Sequence, residues 1–269
     1  MKECFDYIYS TLLSTYGPDE AWDLTYWILE ESTSMSRYEI MGCKGTINIP
    51  NIEIILQRLL KKEPIQYLFG HTQWMGLDIK VTPATLIPRP ETAELVELVE
   101  QYCHDSKLRV MDIGTGSGCI AIALKSRHPN WELTAIDSSE KALSIAKENA
   151  KANHVNITFK KVDILSDEIE CFDCIVSNPP YVMEKEKATM DERVLHYEPV
   201  QALFVSDNDP LVFYHRIANM RKGQRLFMEI NEQFGTEVAQ LMEQAGYTDV
   251  TIKEDIYGKQ RMVCGRIKE

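Results

Sequence analysis

The chain has 269 residues, 44% of them hydrophobic, enough for one large domain or two modest ones with real cores. Its formal net charge of -12 argues against a surface built mainly to grip a phosphate backbone. No apolar run approaches the roughly 18 residues of a membrane span, and the leading MKECFDYIYSTLL mixes acidic and polar residues into its apolar stretch, so neither a membrane anchor nor a secretory leader is expected. Seven scattered cysteines, an odd number, suit reduced thiols in a cytoplasm. The pair Cys171 and Cys174 has CxxC spacing, but on a strand those positions point to opposite faces. With no second pair at ligand spacing, two buried small hydrophobes are expected there and no metal.

Residues 1 to about 70 follow a helical grammar. Phe5, Ile8, Tyr9, Leu12, Leu13 and Tyr16 lie on one face of a first helix closed by Gly17-Pro18. A second runs from Asp19 through Trp22, Thr25, Ile28 and Leu29, and Ser36 with Glu39 forms a capping box for a short third. Ile52, Ile55, Leu56, Leu59 and Leu60 stripe a fourth that must stop before Pro64. These are core stripes of a small bundle and carry no chemistry. Trp74 to Val81 reads as one or two short strands followed by a proline-punctuated linker, and Pro90 suits the first position of a helix with Glu91 and Glu94 in its first turn.

From Leu108 onward strands and helices alternate. LRVMDIG, ELTAID, ITFKKVD, FDCIVSN and RLFMEI are strand-like, with helices expected near Ser117, Ser138, Pro210 and Glu232. TDVTIKED and RMVCGRI follow with no helix between them. This predicts an α/β domain, a doubly wound parallel sheet with an antiparallel edge.

Asp112-Ile113-Gly114-Thr115-Gly116-Ser117-Gly118 follows the first of these strands and opens a helix, so a ligand can approach the backbone near the helix's positive end. Cys119 stands where a dinucleotide fingerprint would place its third glycine. The second strand ends in Asp137, a carboxylate placed to grip both hydroxyls of a ribose, although the bland reading is a cap for the helix after it. The third strand ends in Asp163, placed to meet an adenine edge. The altered glycine spacing favours a cofactor without phosphate, S-adenosylmethionine.

Asn178-Pro179-Pro180-Tyr181 ends the fourth strand, which an open parallel sheet places beside the cofactor. A planar amino group has a delocalised lone pair, so it must be aligned to attack a sulfonium methyl. The Asn178 side-chain oxygen and the Pro179 carbonyl can accept its N–H groups, the prolines lock the turn, and Tyr181 can lie on its flat face. An exocyclic amino group of adenine or cytosine and a protein carboxamide both fit this description. Acidity leans toward protein.

Beyond these motifs the chain resembles the HemK/PrmC family, glutamine methyltransferases of peptide chain release factors, over nearly its full length. The resemblance rests on residues 64–70 (PIQYLFG), 86–92 (LIPRPET), 112–118, 178–181, 197–199 (YEP) and 258–266. It implies a class I S-adenosylmethionine-dependent, Rossmann-like methyltransferase domain over 90–269, a helical bundle over 1–72 that docks the release factor, and a β-hairpin and linker over 73–89. It assigns Gly114, Thr115, Gly116, Ser117, Gly118 and Asp137 to the cofactor, with Asp163 and Ile164 flanking its adenine and Asn178 touching it. Asn178, Pro179, Pro180 and Tyr181 hold the substrate amide, with Asn178, Pro179 and Tyr181 carrying catalysis. The implied target is the glutamine of the release factor's Gly-Gly-Gln loop, with no direct nucleic-acid partner.

Ala93 and Ile164 depart from residues common in the family, a glutamate and an aromatic. A sister group acts on a ribosomal protein's glutamine, which leaves that substrate, and less readily a nucleic-acid amino group, as alternatives. Arg89 reads equally as a solvated linker residue or a neighbour of the cofactor. Residues 182–199 read as a mobile, charged loop over the site.

Overall fold

The computed structural model describes residues 2–268, which divide between Gly70 and His71 into two compact units. In the first unit, α1 (Lys2–Tyr16) and α2 (Pro18–Thr33) are separated by Gly17, whose φ of 76° lies in the left-handed region where a Cβ is costly. α3 (Arg37–Gly42) opens with the expected reciprocal cap between Ser36 and Glu39. α4 (Ile52–Leu60) stops before Pro64, and α5 (Ile65–Phe69), too short to carry a periodic signal, follows that proline. Ile8, Leu12, Ile28, Leu29, Leu56 and Leu59 form the unit's own core. Leu13 is 39% exposed, so the apolar face of α1 is narrower than its spacing suggested.

The second unit opens with the hairpin β1 (His71–Trp74) and β2 (Leu77–Lys80). Then come α6 (Pro90–Tyr102), β3 (Arg109–Ile113), α7 (Cys119–Arg127), β4 (Glu132–Asp137), α8 (Glu140–Ala152), β5 (Thr158–Lys161) and β6 (Phe172–Ser177). β7 (Val182–Met183), a 3-10 stretch at Glu184–Thr189, α9 (Glu192–Tyr197), α10 (Val200–Leu203) and β8 (Phe204–Val205) form a small excursion, in which β7 and β8 pair in parallel. The chain closes with α11 (Val212–Met220), β9 (Gly223–Glu229), a 3-10 turn at Glu232–Phe234, α12 (Gly235–Gln244), β10 (Thr248–Glu254) and β11 (Gln260–Arg266). Residues 182–199, expected as a loop, are thus largely regular structure, in pieces too short for periodicity to reveal.

The seven-stranded sheet has the order β10-β11-β9-β6-β3-β4-β5. The five strands from β5 to β9 are parallel, and β11 runs antiparallel between β9 and β10. The terminal pair is antiparallel as expected, but the last strand lies inside the sheet and leaves β10 at its edge. Ile175, Leu226, Met228 and Val263 on the strands pack with Tyr214 and Ile217 of α11 and Val238 of α12 in a dry core. Because the chain goes outward from β3 to β5 and then returns to β6 on the other side, strand order reverses between β3 and β6. The carboxyl ends of those two strands open a crevice there.

Candidate active site

At the end of β3 the chain turns through Gly114, Gly116 and Gly118 with φ of 72°, 56° and 85°. The turn is held from several sides. Gly114 and Thr115 donate their N–H groups to the Ile136 carbonyl at 2.9 and 3.0 Å. The Thr115 hydroxyl donates to Oδ2 of the fully buried Asp112 at 2.6 Å. Burial pushes the Asp112 carboxyl up to about 7, and its Oδ1 has no hydrogen-bond partner among the described residues. Gly118 serves packing: a Cβ there would come within 3.1 Å of both Ala146 Cβ and Ile122 Cδ1, so its absence lets α8 approach the turn. Asn149 of α8 accepts from Lys80 N and donates to the carbonyls of Lys80 and Ser117, tying turn to hairpin.

Asp137, at the tip of β4, accepts from Gly116 N through Oδ2 at 2.9 Å and from Ser139 N through Oδ1 at 2.8 Å. It therefore caps the next helix's approach and braces the glycine turn at once, and each oxygen retains capacity for one more donor. Burial raises its pKa despite these bonds. A cavity of about 710 Å³ opens before it, lined among others by Gly114, Thr115, Gly116, Ser117, Asp137, Asp163, Ile164, Asn178, Pro179 and Pro180. Gly118 is not among the lining residues. The exposed Asp163 accepts from Leu165 N, and Ile164 is a buried aliphatic neighbour. Asp137 and Asp163 face Arg89 and Lys141 as the lining charges, and Arg89 is engaged by Glu198 at 2.6 Å. This donor set suits an adenosine with a free ribose: acceptors for two hydroxyls, an aliphatic wall for a base, and little to hold a pyrophosphate.

A second cavity of about 170 Å³, lined among others by Tyr181, Val182 and Met190, shares Leu86, Arg89, Asn178, Pro179 and Ala202 with the first. Asn178 Nδ2 donates to the Thr92 hydroxyl at 3.2 Å, Thr92 donates to Glu229 at 2.7 Å, and the Tyr181 hydroxyl donates to the other Glu229 oxygen at 3.0 Å. Tyr181 thus lines the smaller cavity with its hydroxyl held away on Glu229. Glu229 ends β9 fully buried, and burial pushes its carboxyl up to about 7. Asp112, Thr92 and Glu198 stood in quoted stretches without being given a role of their own, and Glu229 stood only in the strand-like RLFMEI.

Arg89 is half-buried and held in place: its guanidinium pairs with the buried Glu198, which also accepts from Ile87 N at 3.3 Å. The linker and the end of α9 are thereby locked together beside both cavities. Glu186 of the 3-10 stretch accepts from Asn231 and Gln233 after β9, anchoring the rest of the excursion. Of the CxxC pair Cys174 is buried in β6, whereas Cys171 precedes the strand and is exposed, so only one behaves as a core hydrophobe. Among the described residues no group of acidic, histidine and cysteine side chains could hold a metal, and no helix is long and apolar enough to cross a membrane.

The chain is similar in sequence and in fold to known proteins. A family model described as "Methyltransferase small domain" matches residues 92–248. A release factor glutamine methyltransferase of Bacteroides thetaiotaomicron is 42% identical over 98% of this chain and 99% of its own length. One from Flavobacterium psychrophilum is 42% identical over 94% of each chain. Among solved structures, a methyltransferase from Pyrococcus furiosus covers 80% of this chain and 98% of its own at TM-score 0.53 and 17% identity. The hMettl16 catalytic domain, solved with a MAT2A 3'UTR hairpin, covers 72% of this chain and 77% of its own at TM-score 0.57 and 18% identity. The two structural likenesses speak to fold alone, that of a class I methyltransferase. Sequence identity at this level over nearly the whole length goes further, and the chain belongs to the release factor glutamine methyltransferase family.

Proposed function

We propose that this protein transfers the methyl group of S-adenosylmethionine to the side-chain amide nitrogen of the glutamine in the Gly-Gly-Gln loop of a peptide chain release factor, in the cytoplasm. The observation that carries the reading is the meeting of two cavities along a shared wall that includes Asn178 and Pro179, one sized for a nucleoside cofactor and one for a side chain. The names of the relatives at 42% identity support the choice of protein glutamine over a nucleic-acid base.

The cofactor supplies an electrophilic methyl group on a sulfonium. Asp137 accepts the ribose hydroxyls, Gly114 to Ser117 let the ligand lie against backbone, and Asp163 and Ile164 take the adenine. Gly118 acts behind them by admitting α8. On the acceptor side, the carboxamide nitrogen is a poor nucleophile, so alignment supplies much of the rate. The Asn178 Oδ1 and the Pro179 carbonyl accept its two N–H groups. Pro179 and Pro180 hold that turn rigid, and the ring of Tyr181 flanks the amide plane. The first unit, with its own core and none of these residues, docks the body of the release factor.

The test is incubation of a purified release factor with this enzyme and S-adenosylmethionine, followed by peptide mass spectrometry. One methyl group on the Gly-Gly-Gln glutamine is expected. Modification confined to another residue would refute the reading.

A further inference from the structure

The acceptor role given to Asn178 depends on which end of its side-chain amide faces the cavity, and donor counting in the network behind it decides that. Ionised Glu229 has only acceptors, and it receives one proton from Thr92 and one from Tyr181. Thr92 has a single hydroxyl proton. Once that proton is given to Glu229, Thr92 can only accept from Asn178, which must then turn Nδ2 inward, as observed at 3.2 Å. Oδ1 is left for the cavity side. Thr92 is 3% exposed and Glu229 0% exposed, so both side chains depend on protein partners for their hydrogen bonds.

We infer that Glu229 and Thr92 are positioning residues that set the polarity of Asn178, making the site accept an N–H donor only while Glu229 is ionised. The inference rests on the methyl-transfer reading above and deepens it. If Glu229 carries a proton and directs it to Thr92, the Thr92 hydroxyl turns its own proton to Asn178. The Asn178 amide must then reverse, and the cavity is presented with Nδ2–H, which repels a substrate amide.

Several groups act on Glu229. Glu91 and Thr92 lie on α6, Cys119 on α7, Tyr181 beyond β6, Tyr214 on α11 and Arg261 on β11. Burial and Glu91 raise its pKa; Thr92, Tyr181 and Arg261 lower it, leaving the carboxyl at about 7. The carboxyl therefore changes charge near neutral pH.

The test combines kinetics on a release factor with NMR of the enzyme. Wild-type kcat should rise with pH through about 7, and Glu229→Gln should be slower with that rise abolished. Thr92→Val should lower kcat about tenfold to a hundredfold, with KM and cofactor affinity changed less than about threefold, and Thr92→Ser should restore most of the loss. The Asn178 side-chain amide resonance, assigned by its disappearance in Asn178→Ala, should titrate with the same midpoint in wild type and not in Glu229→Gln. A rising limb kept by Glu229→Gln, wild-type turnover in Thr92→Val, or an Asn178 resonance indifferent to Glu229 would each overturn the inference. Because the NMR titration needs no substrate, failure to methylate glutamine would count against the functional reading alone.

Discussion

At the scale of single residues, the half-buried Asp137 and the fully buried Asp112 do different work at the glycine turn. Asp137 has one acceptor position per oxygen left for a ligand, so Asp137→Ala should weaken S-adenosylmethionine binding by about 2–4 kcal/mol, since hydrogen bonds to charged groups contribute roughly 1.5–3 each and are rarely additive. Calorimetry checks this, and unchanged affinity would remove Asp137 from the cofactor site. Asp112 instead governs stability. Its folded pKa of about 7 lies above the ordinary carboxylate value, so the folded state holds its proton more tightly than the unfolded chain does. Its contribution is fully present below the unfolded pKa and is lost as pH rises through about 7. Asp112→Asn should therefore lose less stability than wild type between about pH 5 and pH 8, by an amount on the order of a few kcal/mol. Denaturant titrations at both pH values measure it, and parallel losses would show that Asp112 does not carry the dependence. The glycine turn, Asp137 and residues 178–181 were legible because each is a contiguous pattern tied to a strand end. Thr92 and Glu229 were not, because they are 137 residues apart and only the sheet brings them together.

At the scale of elements, the ion pair between Arg89 and Glu198 joins the linker before α6 to the end of α9. The Glu198 side chain is 2% exposed, so removing its partner leaves a charge that water cannot reach. Arg89→Met should cost about 3 kcal/mol, because breaking one side of a buried pair leaves the other charge uncompensated. It should also loosen the wall shared by the two cavities, raising KM for the protein substrate more than for the cofactor. Thermal unfolding with steady-state kinetics tests both, and a variant as stable as wild type would mean that solvent reaches Glu198. The long helices and the strands of the main sheet were legible from their periods of 3.6 and 2. The elements between 182 and 205 escaped that reading because each is too short to complete a period, and they are fixed by partners such as Asn231 and Asp207 from elsewhere in the chain. β11 was expected as a strand, but its place in the sheet was not, because sequence order puts it last while pairing inserts it beside β9.

At the scale of the molecule, two units with separate cores divide the labour in the proposed function. A chain beginning at His71 should retain S-adenosylmethionine affinity within about threefold while failing to methylate an intact release factor, since docking energy is lost and the cofactor site is not. Normal methylation by that fragment would contradict a docking role for the first unit. The central claim, that Asn178 and its neighbours align a glutamine carboxamide, has a more direct test. Methyl transfer from labelled S-adenosylmethionine should be measured with a release factor whose Gly-Gly-Gln glutamine is intact or replaced by glutamate, using wild-type enzyme and Asn178→Ala. Label should enter only the intact factor, and Asn178→Ala should slow its incorporation about a hundredfold with cofactor affinity little changed. Equal labelling of the glutamate-substituted factor, or an undiminished rate with Asn178→Ala, would contradict the claim.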